Sequence, residues 1–123
     1  MVTNVFADQA KFMQACDQST GSWNEAQFNL YTRLIEEEVS ELWAANAAGN
    51  KTECLDALID ILVVTVGALH SLGADGEGAW VEVMRTNFAK IDPESGKVRK
   101  REDGKVLKPD GWQSPQLAKF LHN

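Results

Sequence analysis

At 123 residues, with 44% hydrophobic and 24% charged residues, the chain has the make-up of one ordinary globular domain. Disorder and a membrane-embedded protein are both disfavoured by that balance. The formal net charge of −6 argues against a nucleic acid polymer as partner, because phosphate backbones are held by an excess of Lys and Arg. Acidity alone serves solubility, although an acidic chain can still bind phosphates where a metal carries the positive charge.

In chain order, the first residues carry no basic segment followed by a sustained apolar run, so no targeting signal is expected. A first helix is expected over about 5–17, with Phe6, Ala10, Phe12, Met13 and Cys16, ending at the Ser19-Thr20-Gly21-Ser22 turn. A second starts after Trp23-Asn24, with Asn24 as N-cap, and runs to Ala48, where Gly49-Asn50 stops it. A third spans about 51–72, with Thr52 as a candidate cap and Gly73 as terminator. A fourth covers about 78–91 and closes at Asp92-Pro93. Beyond Pro93 the chain turns polar, with turn signals at Ser95-Gly96, Asp103-Gly104 and Pro109-Asp110-Gly111. An ordered loop or short hairpin is expected there, then a small helix near 116–121. The class is all-α: one domain over 1–123, with a helical core over about 5–91 and a polar tail over 92–123.

Cys16 and Cys54 fit no metal-binding spacing and read as small, buried, reduced thiols. The apolar run Ile61–Val66 reads as too short and interrupted to cross a bilayer, so a cytoplasmic protein without membrane association is expected. The third helix is apolar nearly all round, from Leu55 to Val66. A domain this small can barely cover such a helix alone, and a homo-oligomer, dimer or tetramer, is expected to finish the burial.

The acidic residues are the informative ones. On a wheel of ~100° per residue, Leu34, Glu38, Glu41 and Ala45 form one column of the second helix. Glu37 lies at its edge and Glu36 points away, as a solvated residue. On the third helix Glu53, Asp56 and Asp60 share a narrow arc that Val64 and Gly67 extend. Carboxylates are seldom buried unless paired or bound to a metal. Two facing ladders therefore suggest a hard divalent cation, and all-oxygen donors favour Mg²⁺ or Mn²⁺ over Zn²⁺. No calcium-loop pattern is present, and His70 reads as a helix-end or surface group. Basic residues follow: Arg85 and Lys90, with the amide Asn87 between them, end the fourth helix, and Lys97, Lys105 and Lys108 lie in the tail. They could hold phosphate oxygens. Against that, Arg85 and Lys90 could merely complement the helix dipole.

Glu37-Glu38-x-x-Glu41 followed by Asp56 and Asp60 resembles the signature of the all-α nucleoside triphosphate pyrophosphohydrolases. These are the MazG-like, dimeric dUTPase-like and phosphoribosyl-ATP pyrophosphohydrolase-like proteins. The resemblance continues through Asp60-Ile-Leu-Val-Val-Thr-Val-Gly67, Leu72-Gly73, Arg85-Thr-Asn87-Phe-Ala-Lys90 and Arg101-Glu-Asp103-Gly-Lys105-Val-Leu-Lys108. Each piece is weak; the order and spacing together are specific. One departure stands out. The family usually has Glu-x-x-Asp before the apolar run, which would put Glu at Ala57 if Asp60 is the aspartate. Either Glu53 or Asp56 takes that role, or Glu53-x-x-Asp56 is itself the pair.

The resemblance implies a four-helix MazG-like bundle with a loop or hairpin extension. It implies Mg²⁺-dependent hydrolysis of a nucleoside triphosphate to the monophosphate and pyrophosphate, with Mn²⁺ as a second activator. Glu38, Glu41, Glu53, Asp56 and Asp60 would bind metal, and Glu37 or Glu38 would take the proton from water. Arg85, Asn87, Lys90, Lys105 and Lys108 would hold the phosphates. Gln18 and Asn29, beside Asn24 and Gln27, would meet the base, a purine deoxynucleotide such as dGTP. Three alternatives stand beside this: a phosphoribosyl-ATP pyrophosphohydrolase, a metal- or nucleotide-binding module without turnover, and a helical oligomer whose acids only form salt bridges.

Overall fold

The computed structural model describes residues 3–122 and contains four α-helices, with no strand among the described residues. They are α1 (Val5–Ala15), α2 (Glu25–Ala47), α3 (Lys51–Leu72) and α4 (Gly76–Phe88), followed by a 3₁₀ turn at Ala118–Phe120. The chain is all-α, as expected. Its contacts divide it into two compact units: one runs through Gly76 and takes back Leu121 and His122, and the other is Glu77–Phe120. The division falls just after the first residue of α4, so this helix groups with the polar tail rather than with the other three.

In the first unit, α2 and α3 form an antiparallel hairpin joined by a short turn at Gly49, and α1 packs on α3. Local sequence sets these boundaries. Asn4, Asn24 and Asn50 are the N-caps of α1, α2 and α3, each accepting a first-turn amide. Asn50, not Thr52, caps α3, because its side chain reaches the Glu53 amide at 3.0 Å. Gly73 ends α3 in the left-handed region at φ 78°, which a side chain would strain. α1 stops at Ala15, two residues early, where Asp17 turns left-handed at φ 59° and the Gln18 amide bonds back to the Met13 carbonyl.

The core is small: Met13, Tyr31 and Ala68 are buried, with Phe28, Leu34, Ile35 and Val64 against them. Gly67 makes the closest helix approach. The Tyr31 ring occupies the space where a β-carbon on Gly67 would stand, so only glycine lets α3 come this close to α2. His70 is more than a helix-end group: its Nε2 lies 2.8 Å from the Phe6 carbonyl, tying α3 to α1. Both cysteines are free thiols. Cys16, the C-cap of α1, is exposed rather than buried, and Cys54 is half-buried.

α3 carries its apolar residues outward as well as inward. Leu55, Leu58, Ile59, Leu62 and Val63 are 38–62% exposed and recur at the spacing of one helix face. α3 has 22 residues and contains an 18-residue window of mean hydropathy 1.8, long and apolar enough to cross a membrane by length and composition alone. The core helix of a soluble protein passes the same test, so length and composition do not decide against the expectation. Asp60 in its middle weighs against a crossing, since a carboxylate at membrane depth is costly.

In the second unit, α4 ends at Phe88, and three amide bonds (Ala89 to Arg85, Lys90 to Asn87, Ile91 to Phe88) unwind it toward Asp92. The tail is the hairpin-like loop expected. Bridges pair Ile91 with Val98 and Lys100 with Val106, and a turn at Asp103-Gly104 is closed by the Arg101–Asp103 ion pair. The expected terminal helix shrinks to one 3₁₀ turn, because the Gln116 amide is already committed to Glu82 on α4.

Candidate active site

Both acidic ladders lie in the first unit, on the facing sides of α2 and α3. Glu38 is half-buried, and its inner oxygen, Oε2, is fully enclosed with no hydrogen-bond partner. Its carboxyl is pushed up from 4.5 to about 7. Burial is the largest cause, followed by hydrogen bonding with Glu41, then the charges of Glu41, Asp60 and Asp56. Three carboxylates, one from α2 and two from α3, therefore act on Glu38. Asp56 and Asp60 are the α3 acids whose charge reaches Glu38. Glu53 borders an open cleft of about 430 Å³ beside them, with Glu41, Asn50 and Asp56. Alanines on that cleft, Ala45 and Ala57 among them, leave its room. Ala57, where the resemblance would place a glutamate, is buried at 3% exposure.

As the side chains stand, no group of three or more His, Cys, Asp or Glu among the described residues is gathered closely enough to hold a metal ion. The donor chemistry nevertheless fits a hard cation. An enclosed carboxylate oxygen without a donor, beside three further carboxylates, is a group in want of positive charge. Glu37 is exposed at the edge of this stripe and Glu36 is exposed away from it.

The amides expected near the base are largely engaged elsewhere. Gln18 accepts the Tyr31 hydroxyl at 2.6 Å. Gln27 is buried, accepting the Ser19 amide and donating to the Ser19 carbonyl and to the Ser71 hydroxyl. Asn24 caps α2 and donates to Ser19. Asn29 is exposed on α2. These partners lie up to 44 residues apart in sequence, so helix wheels could not reveal them.

The basic residues belong to the second unit. Arg85 is engaged by Glu82 through two hydrogen bonds of 2.9 and 3.0 Å. Glu82 is a buried carboxylate that sequence reasoning missed, since a lone Glu on a helix looks like a solvated one. The Arg85 hydrogen bond, then that of the Gln116 amide, holds its carboxyl down at about 2. Asn87 accepts from Lys90 Nζ at 3.0 Å. Lys90 and Lys108 both stand over the Trp112 ring, at 5.0 and 4.9 Å, and the Trp112 indole donates to the Thr86 carbonyl at 2.6 Å. Lys108 thus has a packing role that its polar surroundings in sequence concealed. Lys105 is exposed in the hairpin turn, its amide donating to Asp103.

Facing acidic ladders on an all-α scaffold suit the chemistry of phosphoric anhydrides, and the comparison with known proteins agrees. A family model described as phosphoribosyl-ATP pyrophosphohydrolase matches residues 9–87, more than half of the chain, and the chain belongs to that family. It is accordingly a pyrophosphohydrolase of the MazG-like superfamily, a hydrolase of phosphoric anhydrides with a nucleotide substrate. No individual curated protein matches it. The match takes in both acidic ladders and Glu82, together with Gln18, Asn29, Arg85 and Asn87. It leaves out Lys90, Lys105, Lys108 and Trp112.

Proposed function

We propose that the protein is a soluble, cytoplasmic, Mg²⁺-dependent nucleoside triphosphate pyrophosphohydrolase, with Mn²⁺ as a second activator. It would cleave a purine deoxynucleoside triphosphate such as dGTP between the α and β phosphates, releasing the monophosphate and pyrophosphate. The observation that carries this reading is Glu38: an enclosed, unpartnered carboxylate oxygen among Glu41, Asp56 and Asp60. Those four, with Glu53 at the cleft, are the residues that would hold the metal. A bound divalent cation supplies charge neutralisation at the phosphates and a more acidic water. Glu37, exposed beside Glu38, is the group free in position to accept the proton of that water. Arg85, Asn87, Lys90, Lys105 and Lys108, all of the second unit, are the candidates to take the phosphate oxygens. Asn29 and Gln18 are the base-recognition candidates, Gln18 only if the Tyr31 hydroxyl yields it.

The exposed face of α3 supports self-association. Covering half of a Leu or Ile side chain is worth roughly 1 kcal/mol, and five such residues line up there. A second reading, phosphoribosyl-ATP as substrate, is favoured by the name of the matching family. One experiment separates the readings. The pure protein is incubated with a panel of triphosphates and phosphoribosyl-ATP, with Mg²⁺ or Mn²⁺, and pyrophosphate and orthophosphate are both assayed. Pyrophosphate released from a purine deoxynucleotide is the expected result. Release from phosphoribosyl-ATP alone moves the function to the second reading. Release from nothing leaves a metal-binding module or a salt-bridged helical oligomer.

A further inference from the structure

Charge is divided unevenly along the chain. Nine of its twelve Lys and Arg lie within residues 77–120, although the whole chain has a net charge of −6. Within that segment the basic groups are not equivalent. Arg85 is neutralised by Glu82, and Arg101 by Asp103. Lys90 and Lys108 are held instead by a neutral partner, the Trp112 ring, at 5.0 and 4.9 Å. Among the described residues no carboxylate forms an ion pair with either lysine. Their ammonium groups thus stand no more than about 10 Å apart with both charges uncompensated. Bringing two cations together this way costs energy unless an anion joins them.

The ring that holds them is itself fixed. The Trp112 N–H donates to the carbonyl of Thr86, a residue only 2% exposed, on α4. Four residues on, the Gln116 amide donates to the buried Glu82 carboxylate at 2.8 Å. Two tail-to-helix bonds therefore seat the indole against α4. Lys90 from the helix end and Lys108 from the tail meet on that seat. A cation held by a π face keeps its full charge and most of its N–H donors, unlike one paired with a carboxylate.

We propose that Trp112 is a positioning residue that holds Lys90 and Lys108 together as a clamp for a polyphosphate chain. The inference rests on the pyrophosphohydrolase reading for the identity of its ligand, a nucleoside polyphosphate. It adds a residue outside the segment that matches the family.

The test titrates inorganic tripolyphosphate, without metal, into the full-length protein by calorimetry. The variants are Trp112→Ala, Trp112→Phe, Lys90→Gln with Lys108→Gln, and that pair combined with Trp112→Ala. Trp112→Ala should weaken binding about tenfold, and the lysine pair at least as much. Trp112→Phe, which keeps a ring, should recover most of the loss. Added to the lysine pair, Trp112→Ala should change nothing further, because its effect passes through those lysines. With whichever triphosphate the wild type hydrolyses, Trp112→Ala should raise KM about tenfold and leave kcat within about threefold. Wild-type binding in Trp112→Ala, an equal loss on the lysine-free background, or no recovery with Phe would each overturn the proposal. Should no triphosphate be hydrolysed at all, the enzymatic reading fails, while the tripolyphosphate titration still decides the clamp.

Discussion

Glu38 has a pKa of about 7 when folded against an ordinary 4.5, so the folded chain binds this proton more tightly than the unfolded one. Without metal, its contribution to stability is fully present below pH 4.5 and is lost as pH rises through about 7. Glu38→Gln should therefore be the more heat-stable protein at neutral pH in metal-free buffer, read as a higher Tm. A metal must displace the same proton, so Mn²⁺ affinity measured by calorimetry should rise across about pH 6 to 8 in the wild type, and stay flat in Glu38→Gln. Turnover should fall by at least ~10²-fold in Glu38→Gln and in Glu41→Gln, each keeping its helical circular dichroism. Near-wild-type rates in both would remove these residues from the site. Gly67 offers a purely structural contrast. A methyl group there would meet the Tyr31 ring, and Gly67→Ala should cost about 1–3 kcal/mol by denaturant unfolding.

At the scale of elements, the tail of the second unit depends on one carboxylate. Glu82 accepts from Arg85 on its own helix and from the Gln116 amide of the returning tail. Its pKa is held at about 2, below the ordinary 4.5, so its stabilisation is present above pH 4.5 and is lost as pH falls through about 2. In an NMR titration the Gln116 amide should shift with a midpoint near 2. The same amide in Glu82→Gln should show no such titration, and one unmoved in the wild type would remove Glu82 as its anchor. α2 and α3 behave differently, since their hairpin is fixed by caps and apolar packing rather than by an ion pair.

For the molecule as a whole, Leu55, Leu58, Ile59, Leu62 and Val63 form an exposed apolar stripe on α3. Light scattering at micromolar concentration should give a dimer or tetramer. Leu58→Glu with Leu62→Glu should shift it to monomer, because burying two carboxylates in an apolar interface is prohibitive. A wild-type monomer would withdraw self-association and leave α3 with an exposed apolar face to explain. Charge separation acts at the same scale. With nine of twelve basic residues in 77–120 and the acid ladders on α2 and α3, salt should weaken tripolyphosphate binding while touching helix packing little.

Helix order and the bounds of α3 were legible because they depend on neighbours a few residues apart. Periodicity, the Asn24 cap of α2 and the glycine after α3 all act locally, whereas Asn50 in place of Thr52 as the cap of α3 emerged only from the structure. The grouping of Glu38, Glu41, Asp56 and Asp60 on facing stripes was legible for the same reason, since a helix converts spacing directly into direction. What spacing could not supply was the destination of side chains that reach across the fold. Gln27 finds Ser71, Tyr31 finds Gln18, Trp112 finds Thr86, and Glu82 receives the amide of Gln116. Nor could it choose among Glu53, Asp56 and Asp60. Only the α2–α3 packing brings the charge of Asp56 and Asp60 onto Glu38 and leaves Glu53 at the cleft. The sequence by itself determined the helices and which of their faces are acidic, because both are read within a few turns of one chain segment. Which carboxylate is enclosed, and which lysines share a ring, were decided by tertiary structure, because burial and charge coupling depend on distances between segments far apart in the chain.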